Sequence, residues 1–496
     1  MLIKLREKVI QFINGSKKYV IVAALASGLY PLLYYYNANF TLVNSWSQFG
    51  FFIVCFLLIP CLVFWTANFI FNYIGVLKRY NKYVIPILNF TLFAVLLVIS
   101  TQGFRKIILA LAILISFVLA ILFYKHLKKV IVFQFLLALI VFAKLIPDFY
   151  KHFTYSNQWM EQPDAIEEVL FVKKPNIYII QPDGYPNFYE LKRGYYNFDN
   201  SEFEAFLTKN SFKLYQNFRS NYVSTLSSNS SMFAMKHHYY NNIKSDVKEL
   251  YNTRQIITGN NPVISILKKN NYKTFLMLER PYLLVNRPKI NYDYCNFDFS
   301  EISFLARGFE INKDIKKVLA RAINDNSFTN NFYFIGKMLP SHISVHSNES
   351  KGKVKERENY LNDIKKANQS LKEVVKIILE KDKNSLIVIV ADHGGYVGLN
   401  YSLESKIKQT DRDLIYSIFT SALAIKWPEE APVFDNKLKS NVNLFRILIS
   451  YLSEDESYLD FLQPDKSFAV INVGAPFGVY EYINENGSVV FNKLTN

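Results

Sequence analysis

The stretch Ser385-Leu-Ile-Val-Ile-Val-Ala-Asp392-His393-Gly394-Gly395 decides how this chain is read. Its short apolar, β-branched run predicts a strand buried on both faces. The run ends abruptly in Asp392-His393, which offers a hard carboxylate oxygen and an imidazole nitrogen to one metal ion. The two glycines let the backbone turn away and leave such an ion open to a substrate. A run of the same shape lies upstream, Asn176-Ile-Tyr-Ile-Ile-Gln-Pro-Asp183-Gly184-Tyr185. An Asp-Gly pair is most often a plain turn. In open α/β sheets, however, ligands sit outside the carboxyl ends of strands, so two acidic strand ends can meet at one site.

The 496 residues predict two or three domains. The formal charge of +16 invites a nucleic-acid partner, but its distribution removes that reading. Residues 1–150 carry 14 Lys/Arg against 2 Asp/Glu, and the remainder 43 against 39. The basicity belongs to the apolar part, where it reports membrane topology. Cys55, Cys61 and Cys295 have neither metal-ligand spacing nor the pattern of a disulfide framework.

Five segments are apolar over about 20 residues, the length that spans about 30 Å of hydrocarbon. They run over 19–36, 49–73, 83–101, 107–124 and 130–149. Lys4, Arg6, Lys8, Lys17 and Lys18 precede the first; Lys78, Arg79 and Lys82 lie in the second loop, and Lys125, Lys128 and Lys129 in the fourth. The first loop, 37–48, is uncharged, and the third holds Arg105 and Lys106 as a mild exception. This alternation places the amino terminus in the cytoplasm and, after five spans, everything past residue 150 outside. The expected organisation is a five-helix transmembrane domain over 1–150, a connector over 151–174, and an extracytoplasmic α/β domain over 175–496.

In the latter, short apolar strands alternate with helical stretches, the pattern of a layered α/β domain. Residues 201–210 read as a helix opened by Ser201, with Glu204 at capping-box spacing. Residues 262–270 read as helix and 273–278 as strand. Residues 331–339 form another strand, running into Pro340-Ser341-His342. A long charged helix over 353–381 leads into the Asp-His strand, 421–427 is a strand, and 481–491 reads as a hairpin about Asn486-Gly487.

Between the two acidic strands lies Ser220-Asn-Tyr-Val-Ser-Thr225-Leu-Ser-Ser-Asn-Ser-Ser-Met-Phe233. Such a stretch serves ordinarily as a helix cap. A hydroxyl at a helix amino terminus also sits where backbone N–H groups and the helix dipole favour phosphate, and a metal-bound hydroxyl becomes a usable nucleophile.

With these motifs the chain resembles the alkaline phosphatase superfamily, in particular its membrane-anchored, sulfatase-like branch of lipoteichoic acid synthases and phosphoethanolamine transferases. The resemblance rests on Asp183, the Thr225 segment, Pro340-Ser341-His342 and Asp392-His393-Gly394. The nucleophilic threonine of the phosphoethanolamine transferases precedes a Met-Phe pair with the spacing that Thr225 has from Met232-Phe233. The resemblance therefore implies Thr225 as nucleophile, in preference to Ser224, Ser227 or Ser228. It implies Asp183, Thr225, Asp392 and His393 as ligands of one divalent ion (Mn²⁺, Zn²⁺ or Mg²⁺), and His342 as a phosphate-binding or leaving-group residue. The departures are Asp183 where these transferases commonly have Glu, and the lack of a His after His393, for which His346, His237 or His238 could substitute. The Cys/Ser-x-Pro-Ser-Arg of sulfatases is also missing.

The implied activity is transfer of a phospho-head group, of phosphoethanolamine or phosphoglycerol type, from a membrane phospholipid to an envelope glycan or glycolipid. The implied location is a bacterial cytoplasmic membrane. Two alternatives stand beside it: a membrane-tethered phosphodiesterase or sulfatase-type hydrolase, and a non-catalytic component of envelope assembly.

Overall fold

The two apolar runs that end in aspartate are neighbouring strands of one sheet. The computed structural model describes residues 2–241 and 250–495 and divides into two units, Met1–Tyr155 and Ser156–Asn496.

Among the described residues of the first unit, four helical stretches are long and apolar enough to cross a membrane: Val20–Val43, Trp46–Tyr73, Lys78–Gln102 and Lys106–Thr154. The last, at 49 residues, far exceeds the ~20 that one span takes. It holds the fourth and fifth expected spans, as helices Lys106–Phe123 and Leu127–Thr154 with a 3₁₀ turn at Tyr124–His126 between them. A pair of buried amides inside this unit is satisfied. Asn89 and Gln134 exchange two amide hydrogen bonds of 3.0 Å, and Asn89 also donates to the Ala23 carbonyl at 2.8 Å. Three helices are thereby tied together in a setting where an unpaired amide is costly.

The second unit is built on a seven-stranded sheet. Its strands are β1 (Ile177–Pro182), β2 (Lys213–Leu214), β3 (Tyr272–Leu278), β4 (Tyr294–Cys295), β5 (Asn330–Lys337), β6 (Leu386–Val390) and β7 (Leu423–Lys426), in the order β2-β7-β6-β1-β5-β3-β4. A separate three-stranded sheet follows, β8 (Ser467–Ile471), β9 (Gly478–Ile483) and β10 (Val489–Lys493). The core β1 and β6 strands are buried at every residue, as their apolar runs require; the one polar side chain in them is Gln181 on β1. They pair in parallel with Ile180 opposite Ile389. Asp183 and Asp392 each lie three residues past that pair, so the register sets the two carboxylates level at one end of the sheet. β7 runs antiparallel to β6, so the sheet is mixed.

Helices cover both faces. One core contains Phe233, Phe332, Phe334 and Phe445. The other lies under the long helix Lys353–Lys381, which buries Tyr360, Ile364, Leu371 and Ile378. The helix expected from Ser201 runs Ser201–Lys209, but its cap is Asn200 without a side-chain cap bond. Ser201 N donates to Asp199 Oδ1, and Glu204 pairs with Lys192, so the capping box does not form. The closing hairpin is β9–β10, turned at Gly487 with φ +79°.

Candidate active site

Four sequence-predicted residues meet at the shared end of β1 and β6. Asp183 follows β1, Asp392 and His393 follow β6, and Thr225 is the first residue of helix Thr225–Ala234. Asp183, Asp392 and His393 each offer a ligand atom, all lying within 4.8 Å of one another. Thr225 Oγ1 lies 3.3 Å from Asp183 Oδ1 and 3.3 Å from His393 Nε2.

The backbone around them is tightly determined. Asp392 Oδ1 accepts Gly184 N–H at 2.9 Å and His393 N–H at 3.0 Å, clamping the two strand ends together. Gly184 has φ +66°, and a Cβ there would lie 2.2 Å from the Ser341 carbonyl oxygen, so this position requires glycine. Ser341 N–H in turn donates to the Asp183 carbonyl at 2.9 Å, which brings the Pro340-Ser341-His342 loop to the same place. His393 Nδ1–H donates to the Gly394 carbonyl at 2.8 Å, leaving the Nε2 lone pair directed to the cluster.

Thr225 is joined to β1 from behind. Gln181 on β1 and Asn229, one helical turn past Thr225, exchange two amide hydrogen bonds of 2.8 and 2.7 Å. Both are buried, Asn229 completely. The helix's N-cap Ser224 makes no side-chain cap bond, so the first-turn N–H groups point toward whatever anion Thr225 meets.

The electrostatics describe a cation site. Burial and the neighbouring Asp392 charge push the Asp183 carboxyl up to about 7, with His393 partly offsetting them. Burial works against charge on His393, but Asp392 and Asp183 outweigh it and raise its pKa. Asp392 is 0% exposed, and its Oδ2 has no hydrogen-bond partner. Two crowded carboxylates, an unpartnered buried oxygen and an aimed imidazole nitrogen fit a divalent ion, which supplies the missing positive charge. Oxygen donors with one imidazole suit Mn²⁺, Zn²⁺ or Mg²⁺.

His342 stands beside this group, its ring centroid 6.0 Å from that of His393. Its Nδ1–H donates to its neighbour Ile343's carbonyl at 2.6 Å, and burial followed by the His393 charge lowers its pKa. Sequence reasoning missed Tyr396, whose ring lies 5.4 Å from His393 and 5.6 Å from His342. Its hydroxyl donates to the Val223 carbonyl, two residues before Thr225, and it holds φ +61°. A tyrosine after two glycines gave no signal of this.

The three candidates for the missing downstream histidine lie outside the ligand group. His237 uses both ring nitrogens, with Tyr222 Oη at 3.2 Å and the Pro464 carbonyl at 2.8 Å. His238 likewise contacts the Ser227 carbonyl at 3.0 Å and Tyr240 N–H at 2.8 Å. His346 is exposed.

Residues 204–415 match the Sulfatase family model. Over this segment the chain is similar to sulfatases. Thr225, His342, Asp392 and His393 lie inside the matched segment and Asp183 before it. Among solved structures the chain is similar to the C-terminal periplasmic domain of EcEptC from Escherichia coli, at 13% identity, TM-score 0.40, and coverage of 62% of this chain and 93% of that one. For the lipoteichoic acid synthase LtaP from Listeria monocytogenes the values are 13%, 0.40, 67% and 91%. For the soluble domain of lipooligosaccharide phosphoethanolamine transferase A from Neisseria meningitidis they are 12%, 0.38, 58% and 92%. No curated protein matches the sequence.

Proposed function

We propose that this protein is a membrane-anchored transferase that moves a phospho-head group from a phospholipid to an envelope glycan or glycolipid through Thr225. The observation that carries the reading is the Thr225 hydroxyl, 3.3 Å from both Asp183 Oδ1 and His393 Nε2 at the start of a helix. A divalent ion held by Asp183, Asp392 and His393 lowers the hydroxyl's pKa and neutralises charge on phosphoryl oxygens.

In the first half-reaction Thr225 Oγ1 bonds to phosphorus as the bond from phosphorus to the diacylglycerol oxygen breaks. The proton that Thr225 gives up balances the one taken up by the diacylglycerol oxygen, which leaves as the free alcohol. The helix N-terminus faces the phosphoryl oxygens. In the second, an acceptor hydroxyl bonds to phosphorus, the Oγ1–phosphorus bond breaks, and Thr225 regains a proton. His342 is suited to receive the acceptor's proton. It is held neutral by its surroundings, and its donated Nδ1–H leaves Nε2 as the basic nitrogen.

The charge alternation of the loops supports an amino terminus in the cytoplasm, five spans and an extracytoplasmic catalytic domain in a bacterial cytoplasmic membrane. A lipid donor then reaches the enzyme without leaving the bilayer. The test is to supply phospholipid labelled in its head group. Wild type should place label on Thr225 and then on an envelope acceptor, Thr225→Ser should retain part of the activity, and Thr225→Ala none. Label released only as free head group would establish a hydrolase. No transfer and no release of label by wild type and Thr225→Ala alike would establish a non-catalytic protein, and equal activity of the two would remove Thr225 as the nucleophile.

A further inference from the structure

Away from Thr225, Arg219 is a buried cation held by neutral groups. It is 5% exposed, and its Nη2 donates to the backbone carbonyls of Asp465, Asn484 (3.0 Å) and Glu485 (3.5 Å). Its Nε has no partner. The nearby Asp465 carboxylate is engaged by Ser440 Oγ at 2.5 Å and Asn443 Nδ2 at 3.0 Å. The Asp465 charge offsets part of the guanidinium's burial cost without bonding to it, and an anion bound beside Arg219 would relieve more of it.

Arg219 lines a polar cavity of ≈ 390 Å³ together with Gln216, Asn217, Lys439, Arg412 and Asn486. Arg219 N–H donates to the Lys439 carbonyl at 3.0 Å, so the two cationic residues are adjacent. The Arg412 charge is already met by Glu190 in a two-pronged pair at 2.6 and 2.5 Å, and its guanidinium lies 3.6 Å above the Tyr416 ring. Glu485 is the other acid in the lining, and it is exposed. Arg219 and Lys439 thus leave the cavity net positive. The exposed amides of Gln216, Asn217 and Asn486, with the half-exposed Tyr189 ring in the same wall, supply donors, acceptors and an aromatic face. The volume is that of a small-ligand site rather than of a single ion.

The cavity abuts the catalytic loop. Thr420, in its wall, accepts Asn187 N–H at 2.9 Å, and its methyl would lie 3.0 Å from a Cβ placed on Gly394. We infer that this cavity binds an anionic carbohydrate, a sugar bearing phosphate or carboxylate. Its service as the acceptor's binding site rests on the transfer reaction proposed above; its binding does not.

Lysine footprinting of the full chain in detergent separates these statements. Acetylation of Lys439, read by mass spectrometry, is measured with glucose 1-phosphate, glucuronate or glucose, using Lys437 as internal reference. The anionic sugars should slow Lys439 labelling, by roughly tenfold at ten times Kd, as mass action requires, and leave Lys437 unchanged. Gln216→Glu, which adds an acid at an exposed rim position and keeps Lys439 available, should abolish the protection. Protection by glucose equal to that by the acids, persistence in Gln216→Glu, or no protection at all overturns the proposal. Protection in a protein that, like its Thr225→Ala variant, moves no label to an acceptor would keep the site and remove the transferase.

Discussion

Asn229→Leu is the most informative single change behind the candidate nucleophile. Asn229 and Gln181 are bonded to each other twice, in the core, at 2.8 and 2.7 Å. Replacing Asn229 leaves the Gln181 amide nitrogen and oxygen without those partners, at about 1–3 kcal/mol for each buried polar group. The expected loss is therefore about 2–6 kcal/mol, and Gln181→Leu should cost a similar amount. The double variant removes both amides together, leaves no stranded polar group, and should recover most of the loss, so that the coupling energy exceeds either single-variant loss. Unfolding of the full chain in detergent, followed by near-ultraviolet circular dichroism, measures this cycle. The same pair ties Thr225 to Asp183, because Gln181 lies two residues before Asp183 and Asn229 one turn after Thr225. The double variant should thus fold yet transfer more slowly, with kcat reduced and KM for the lipid little changed. Additive single-variant losses would refute the stability argument. Wild-type kcat in the folded double variant would refute the positioning role.

Asp392→Asn and His393→Ala should each release the bound divalent ion from the purified protein, read as metal-to-protein ratio by elemental analysis; full occupancy in both would place the ion elsewhere. A reporter active only outside the cytoplasm should work when fused after Lys174 and fail near Lys129, and the reverse result would end the lipid-donor proposal. Burial pushes His237 down to about 4 and His238 down to about 3. Both are neutral in the fold and take up protons on unfolding, so their contribution is full above about 6.5 and is lost as pH falls toward 4 and then 3, on the order of 3 kcal/mol each. Unfolding midpoints at pH 7.5 and 5 should therefore differ in wild type, and the difference should shrink by about half in His238→Asn. Gly184→Ala should abolish activity, since its Cβ would meet the Ser341 carbonyl oxygen at 2.2 Å; an active, stable variant would show that this loop can shift.

The parts of the fold legible in the sequence are those fixed by burial on both faces. β1, apart from Gln181, and β6 are apolar runs, and the aspartate that follows each marks where the chain leaves the core for the sheet's functional end. The long helix Lys353–Lys381 was legible from its amphipathic spacing. The two-residue strands β2 and β4 were not, because a pair of residues has no periodicity. Nor was the reversed direction of β7, since an apolar strand reads alike either way. Ser201 with Glu204 had the spacing of a capping box, yet Asp199 captured the Ser201 N–H from outside the helix.

The histidines separate by what their ring nitrogens hold, which spacing cannot reveal. His237 and His238 precede a run of left-handed residues, Tyr239, Tyr240 and Asn241, and spend both nitrogens on neighbouring hydroxyl, carbonyl and amide groups. A ring so engaged has no lone pair to give an ion unless its local structure breaks. His393 and His342 instead each spend one nitrogen on an adjacent carbonyl, of Gly394 and Ile343, an arrangement that leaves the other as a base. Tyr396 packs against both rings and reaches the segment that carries Thr225. Three protein ligands and the threonine therefore gather without a further histidine. An ion held by three side chains keeps room for phosphoryl oxygens, as a site that must take up and release a substrate requires.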